Sequence, residues 1–255
     1  VGTSITAQKK GRRSPAYNVP GHRFTADVVY PAPTPQTKEG AMRGEVLELV
    51  DDVGRDGLLA RILLEDGRVI YNIAAEGQRV GDLVSFGAKA PVRPGAVLPL
   101  REVPDGAPVY NVELAPGDGG KLSRTSGTAA YVLSRDEDTG LVSVVLASKA
   151  VKVLAPDCRA TVGVPCGGGR LEKPLMKAGE GYHKAHARNR YWPVVRGTAM
   201  SAYDHPHGGK SFGSPTTVSR NAPPGQKTGH IAARRVGRGK GKRARAGAQE
   251  ESAQS

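Results

Sequence analysis

The chain reads as a mostly β protein, with two small barrels in its middle, the first of the OB type, set between extended basic arms. Three observations predict this. Short runs rich in Val, Ile and Leu recur from about residue 38 to 170, Gly and Pro crowd the connections between them, and positive charge gathers at both ends. The 255 residues include 34 Gly and 19 Pro and are only 38% hydrophobic, too little apolar material for a packed core throughout.

Residues 1–37 hold 5 Lys/Arg and 1 Asp/Glu, residues 38–170 hold 16 and 18, and residues 171–255 hold 16 and 5, giving +4, −2 and +11 of the net +13. A merely solubilising surface mixes its signs, as the middle does. Basic ends favour a polyanion, because each Lys or Arg that reaches a phosphate releases condensed counterions. Nucleic acid fits better than an anionic membrane. No apolar run approaches the ~20 residues of a membrane span, and the opening VGTSITAQKKGRRSP lacks the apolar centre of a secretory signal. Cys158 and Cys166 are too few for a disulfide framework. The expected setting is soluble and cytoplasmic.

Residues 1–37 form the first arm. Lys9, Lys10, Arg12, Arg13 and Arg23 lie among prolines at 15, 20, 31, 33 and 35, and proline fixes φ and lacks an N–H, so extended chain is expected. Tyr17 and Phe24 among these cations favour an arm that is ordered on RNA. Strands are then expected at 44–50, 58–64, 68–74 and 82–87, with Asp66-Gly67 as a tight turn. Four or five short strands over this length suit a small closed barrel, for which an OB-fold is a natural candidate. Residues 91–107 are Pro/Gly-rich and read as a connection.

A second series at 109–115, 129–135, 141–147, 150–155 and 159–164, with Asp138-Thr139-Gly140 as a turn, suggests another compact barrel. The intervening APGDGGKLSRTSG (115–127) exposes backbone N–H groups beside Lys121 and Arg124, which suits a phosphate-contacting loop as well as a flexible hairpin. Past 165 the strand periodicity fades. One helical piece is expected near 181–190, and the basic, then mildly acidic tail is expected to be disordered unless a partner buries it.

The run YWPVVRGTAMSAYDHPHGGKSFG (191–213) carries the most information. Its Asp204-His205-Pro206-His207-Gly208-Gly209 admits three readings: Asp204 orienting His205 as a general base, His205 and His207 binding a metal, or a rigid turn whose imidazoles and N–H groups contact RNA. The third asks least, since an unaccompanied His pair is a weak catalytic signal. Cys158 and Cys166 (C-x7-C) with His183 and His186 (H-x2-H) depart from zinc-site spacings. Gly167-Gly168-Gly169 matches no nucleotide-binding motif. Of 12 aromatics, 8 fall in the two ends, Tyr182, Tyr191, Trp192, Tyr203 and Phe212 among them. Interleaved with Arg188, Arg190, Arg196 and Lys210, such rings can stack on unpaired bases while the cations meet phosphate. The competing reading is a small accessory core of Tyr191, Trp192 and Val194.

PVVRGTAMSAYDHPHGG resembles the C-terminal motif of the universal large-subunit ribosomal protein two family, with Ser201 where an asparagine is common. APGDGGKLSRTSGTAAYVL resembles that family's central loop. The resemblance covers about 38–240, in the form of the archaeal and eukaryotic branch. It implies an OB-fold at 38–92 and an SH3-like barrel at 93–170. It implies also that the arm at 1–37 and the region 171–255 penetrate large-subunit rRNA near the peptidyl-transferase region, supporting subunit association, tRNA binding and peptide-bond formation. The family's much-discussed histidine corresponds to His205, preceded by Asp204, and a structural role is expected of it.

The residues expected to bind rRNA are thus Lys9, Lys10, Arg12, Arg13 and Arg23 of the arm, with Lys121 and Arg124 of the loop. From the C-terminal region come His183, Lys184, His186, Arg188, Arg190, Tyr191, Trp192, Arg196, His205, His207, Lys210, Arg234 and Arg235. Neighbouring ribosomal proteins, the small subunit and tRNA are the further partners expected, with no membrane and no small-molecule substrate. No enzymatic activity and no cofactor are expected, with Mg2+ held mainly by the rRNA. A non-ribosomal RNA chaperone and a metal-dependent hydrolase built on Asp204, His205 and His207 are the competitors.

Overall fold

A computed structural model of the chain describes residues 4–11, 17–209, 217–223, 227 and 230–232. Two compact units result: Pro20–Met176, and Val1–Val19 together with Lys177–Ser255. The fold is mostly β, with the OB-fold barrel followed by the SH3-like barrel inside Pro20–Met176.

The first arm is not extended throughout. It contains helices α1 (Thr6–Gly11) and α2 (Pro35–Glu39) and a 3-10 turn at Gly21–Arg23. The stretch TAQKKG lies ahead of the first proline and consists largely of good helix formers. α2 starts on a reciprocal cap: the Thr34 N–H donates to Thr37 Oγ1 at 2.8 Å and the Thr37 N–H to Thr34 Oγ1 at 3.3 Å. Pro35 occupies the first helical position, where no N–H is needed.

Nor does the barrel unit begin at 38. Val28 and Tyr30 are buried, and the Tyr30 hydroxyl donates to Asn111 O at 2.7 Å while lying 2.6 Å from Thr161 Oγ1. With its hydroxyl satisfied, the ring belongs in the core, and burial pushes its pKa well up. Tyr30 is therefore a core residue, although composition groups it with the basic arm.

Ten strands follow: β1 (Met42–Val50), β2 (Leu59–Leu64), β3 (Val69–Ile73), β4 (Leu83–Phe86), β5 (Val97–Pro99), β6 (Pro108–Tyr110), β7 (Ala130–Arg135), β8 (Val142–Val145), β9 (Val151–Leu154) and β10 (Arg159–Val162). They make one sheet in the order β3-β2-β1-β4-β5-β10-β6-β7-β8-β9. All pairings are antiparallel except β4 with β5, which meet in parallel at Phe86↔Val97. The expected β2–β3 turn is present, with Gly67 at φ +81° and the Arg68 N–H on Asp66 Oδ1 at 3.0 Å.

Two strand expectations need correction. β5 lies inside the stretch read as a connection, because Ala96, Val97 and Leu98 are buried and Val97–Pro99 pairs with β10. The strand expected at 109–115 stops at Tyr110, because Asn111 adopts φ +50° and turns the chain. Val46, Ile62, Leu64, Val84 and Phe86 fill the first barrel, and Leu98, Leu100, Val109, Val132 and Val144 the second. Tyr110 joins them by donating from its hydroxyl to Ile73 O at 2.9 Å.

In the other unit, α3 (Ala178–Ala187) fulfils the helical expectation, and β11 (Thr217–Val218) pairs in parallel with β12 (His230–Ile231).

Candidate nucleic-acid interface

The glycine-rich loop 115–127 is anchored at its foot by a wholly buried carboxylate. Glu113 accepts from Arg159 Nη2 at 2.7 Å, the Arg159 N–H at 2.8 Å, the Gly119 N–H at 3.2 Å and the Gly117 N–H at 3.3 Å. Arg159 also donates from Nη1 to Pro31 O at 2.6 Å and lies 5.2 Å over the Tyr30 ring. A buried charge persists only when paired and hydrogen-bonded, and here the pairing fixes how the loop leaves β6. Glu113 carries no sequence signal of this role, since its partner Arg159 stands 46 residues away.

On that loop Lys121 pairs with Asp118 at 3.4 Å, and Arg124 donates to Gly120 O at 3.4 Å. Burial, then the neighbouring Arg55 guanidinium, lowers the Arg124 pKa. That cation is thus held where positive charge is disfavoured, an arrangement that a phosphate relieves. Arg23 lies exposed in its 3-10 turn in the same unit.

The other unit collects most of the remaining candidates. α3 carries His183, Lys184 and His186 and buries no residue. A ten-residue helix is marginal alone in water, and one with no fully buried residue gains little from packing. Tyr182 and His186, one helical turn apart, stack with centroids 5.8 Å apart at 22°, and His183 meets Tyr182 edge-on at 5.4 Å.

Arg188, Arg190, Tyr191, Trp192 and Arg196 follow in the same unit. Trp192 is 42% exposed and Val194 70%, so the accessory core imagined for Tyr191, Trp192 and Val194 does not form. The first arm's lysines join this group. Lys9 and Lys10 lie on α1, Lys10 Nζ is 5.2 Å from the Tyr191 ring centroid, and Tyr17 packs against the same ring at 6.3 Å. Arg12, Arg13, Lys210, Phe212, Arg234 and Arg235 lie outside the described residues.

The histidine loop closes on itself. The Gly209 N–H donates to Met200 O at 3.0 Å and the His205 N–H to Ser201 O at 3.2 Å. His205 and His207 are only 5% and 6% exposed, with ring centroids 5.1 Å apart. The His207 N–H donates to His205 Nδ1 at 3.0 Å. Nδ1 of His205 is thereby engaged in the loop's own hydrogen bonding. Asp204 accepts from the Ser201 hydroxyl at 3.0 Å. Gly197 backs the His205 ring so closely that a Cβ there would lie 2.4 Å from Cε1. The imidazoles expected to face RNA are mostly enclosed by their own loop and hold its shape.

Cys158 and Cys166 belong to one unit, His183 and His186 to the other. Burial pushes the Cys158 thiol up to about 11 and raises that of Cys166, which keeps both as unreactive thiols near neutral pH. Among the described residues no three His, Cys, Asp or Glu gather as metal ligands, and no helix is long and apolar enough to cross a membrane.

The chain is thus a β protein whose barrels carry a cation-bearing loop and are followed in sequence by an exposed segment of rings and guanidinium groups. The profile of the family described as Ribosomal Proteins L2, C-terminal domain, matches residues 93–228. Large ribosomal subunit protein uL2 of Methanothermobacter thermautotrophicus is 46% identical over 241 residues, covering 93% of this chain and 99% of that protein. The proteins of the same name from Methanopyrus kandleri and Hyperthermus butylicus are 44% and 48% identical, each over 94% of this chain and 99% and 100% of their own lengths. The chain belongs to the L2 family of ribosomal proteins.

Proposed function

We propose that the chain is a structural constituent of the large ribosomal subunit that binds large-subunit rRNA near the peptidyl-transferase region, supporting subunit association, tRNA binding and peptide-bond formation. The observation that carries this reading is α3 and the segment after it: a helix with no fully buried residue, followed by exposed Tyr191, Trp192 and Tyr203 among arginines. Such a surface needs phosphates for its cations and unpaired bases for its rings. Lys121 and Arg124 on the anchored loop supply a second contact, and the relatives' names support the ribosome as the setting.

The protein works in the cytoplasmic ribosome, with rRNA and neighbouring ribosomal proteins as partners and the small subunit and tRNA within its reach. It is not an enzyme on this reading and has no cofactor of its own, Mg2+ being held mainly by the rRNA. His205 shapes RNA-contacting chain rather than moving protons, as its occupied Nδ1 suggests.

Sedimentation through a high-salt gradient tests the proposal: a constituent stays with the large subunit, whereas an RNA chaperone leaves it. With about 10 phosphates neutralised, log K against log salt has a slope near −9. A slope near zero overturns the proposal.

A further inference from the structure

Within the unit that contains α3 lies a cleft of about 200 Å³, lined by Tyr17, Tyr182, His186, Asn189, Tyr191 and Trp192, together with Ala185 and Arg190. We propose that this cleft receives a single unpaired nucleobase, extruded from its helix and clamped between rings. The inference rests on the RNA-binding reading above and adds the site and the chemical group it takes.

The cleft is built rather than incidental. Trp192 lies against α3 at Gly181, where a Cβ would come within 3.2 Å of the indole Cζ2. Glycine inside a helix is unfavourable, and here the missing side chain makes room for the indole. Stacked Tyr182 and His186 form another wall. The loop after α3 is tied to the first arm by the Asn189 side-chain amide, which donates to Asn18 O at 2.6 Å. That tie, with the Tyr17–Tyr191 contact, brings a ring from the chain's start into a site made by its C-terminal part.

Size and charge select the occupant. The volume is below the ~300–1,000 Å³ of sites for drug-sized ligands and suits one planar ring system. The walls carry an amide and a guanidinium for the edges and phosphate of a nucleotide and, among the described residues, no carboxylate. An aromatic cage of this kind also attracts alkylated ammonium groups. Lys10 over Tyr191 and Arg190 on the wall repel a further cation, so the base is preferred.

Trp192 is the only tryptophan of the chain, which gives the test a single reporter. The full-length protein is titrated with an RNA duplex carrying one bulged nucleotide and with the same duplex fully paired, while Trp192 emission is followed. The bulged RNA is expected to quench Trp192 and bind tighter. Tyr182→Ala and His186→Ala are expected to weaken it by about 5- to 150-fold, the range of one lost stacking contact, with the paired duplex unaffected. Tyr182→Phe keeps the ring and retains the preference, which separates stacking from misfolding. Equal affinity for both duplexes with unchanged emission overturns the pocket and leaves RNA binding standing. Failure to bind either duplex at low salt overturns the RNA reading itself.

Discussion

His205 presents Nδ1 to the N–H of His207, and the ring it turns edge-on to that histidine is backed by Gly197. The enclosed pair supports the structural role expected of His205 from sequence. It predicts that Gly197→Ala, which drives a methyl into the imidazole, costs about 1–3 kcal/mol of local stability by overpacking. Hydrogen exchange at Gly208 and Gly209, whose N–H groups close the loop on His205 O and Met200 O, should accelerate while the barrel amides keep their protection. Unchanged exchange at those two amides would contradict the packing role. The sequence reading reached the loop, because paired glycines and histidines are conspicuous. It did not reach the Gly197 contact, because that depends on a meeting of two residues eight positions apart in an irregular turn.

At the scale of elements, the glycine-rich loop owes its geometry to Glu113 as well as to its glycines, of which Gly117, Gly119, Gly120 and Gly127 take positive φ. Glu113→Gln removes the charge facing Arg159 and leaves that guanidinium poorly compensated, for which about 3 kcal/mol of barrel stability is the expected loss, the low end for a broken buried pair because Arg159 keeps some water. Urea unfolding measures it, and a loss below about 0.5 kcal/mol would show that the pair anchors nothing. β1 to β4 were legible because apolar runs and the Asp66-Gly67 turn are local signals. β5 was not, since its pairing with β10 is settled by residues some 60 positions on, and prolines at 91, 94 and 99 disguise it. α2 had a readable signal after all: Thr34-Pro35 followed by Thr37 is a capped start with proline in first place. Tyr30 went unread for the opposite reason, because a ring among prolines and cations says nothing of the Asn111 and Thr161 groups that await it.

For the whole molecule, buried weak acids set an alkaline limit. The thiol of Cys158 in the second barrel rises from 9.0 to about 11 on burial, and the Tyr30 phenol is raised for the same reason. A group whose folded pKa exceeds its unfolded value contributes stability that is whole below the unfolded value and is lost as pH climbs through the folded one. Barrel stability should therefore be flat as pH approaches about 9 and fall between there and about 11, with Cys158→Ala reducing the slope. Urea midpoints across that interval check this, and a pH-independent midpoint in the parent protein would contradict it.

The place of β10 in the sheet has a consequence for time. It is the last of the ten strands in chain order, yet it lies between β5 and β6 and pairs with both. A growing chain can pair β1 to β4 early, but its second barrel stays open until Arg159–Val162 has been made, and such long-range closures are slow. The unit assembled from Val1–Val19 and Lys177–Ser255 waits longer still, because one part of it precedes the barrel strands in the chain and the other follows them. The surface that we propose grips RNA is thus completed after the barrels, when only docking remains.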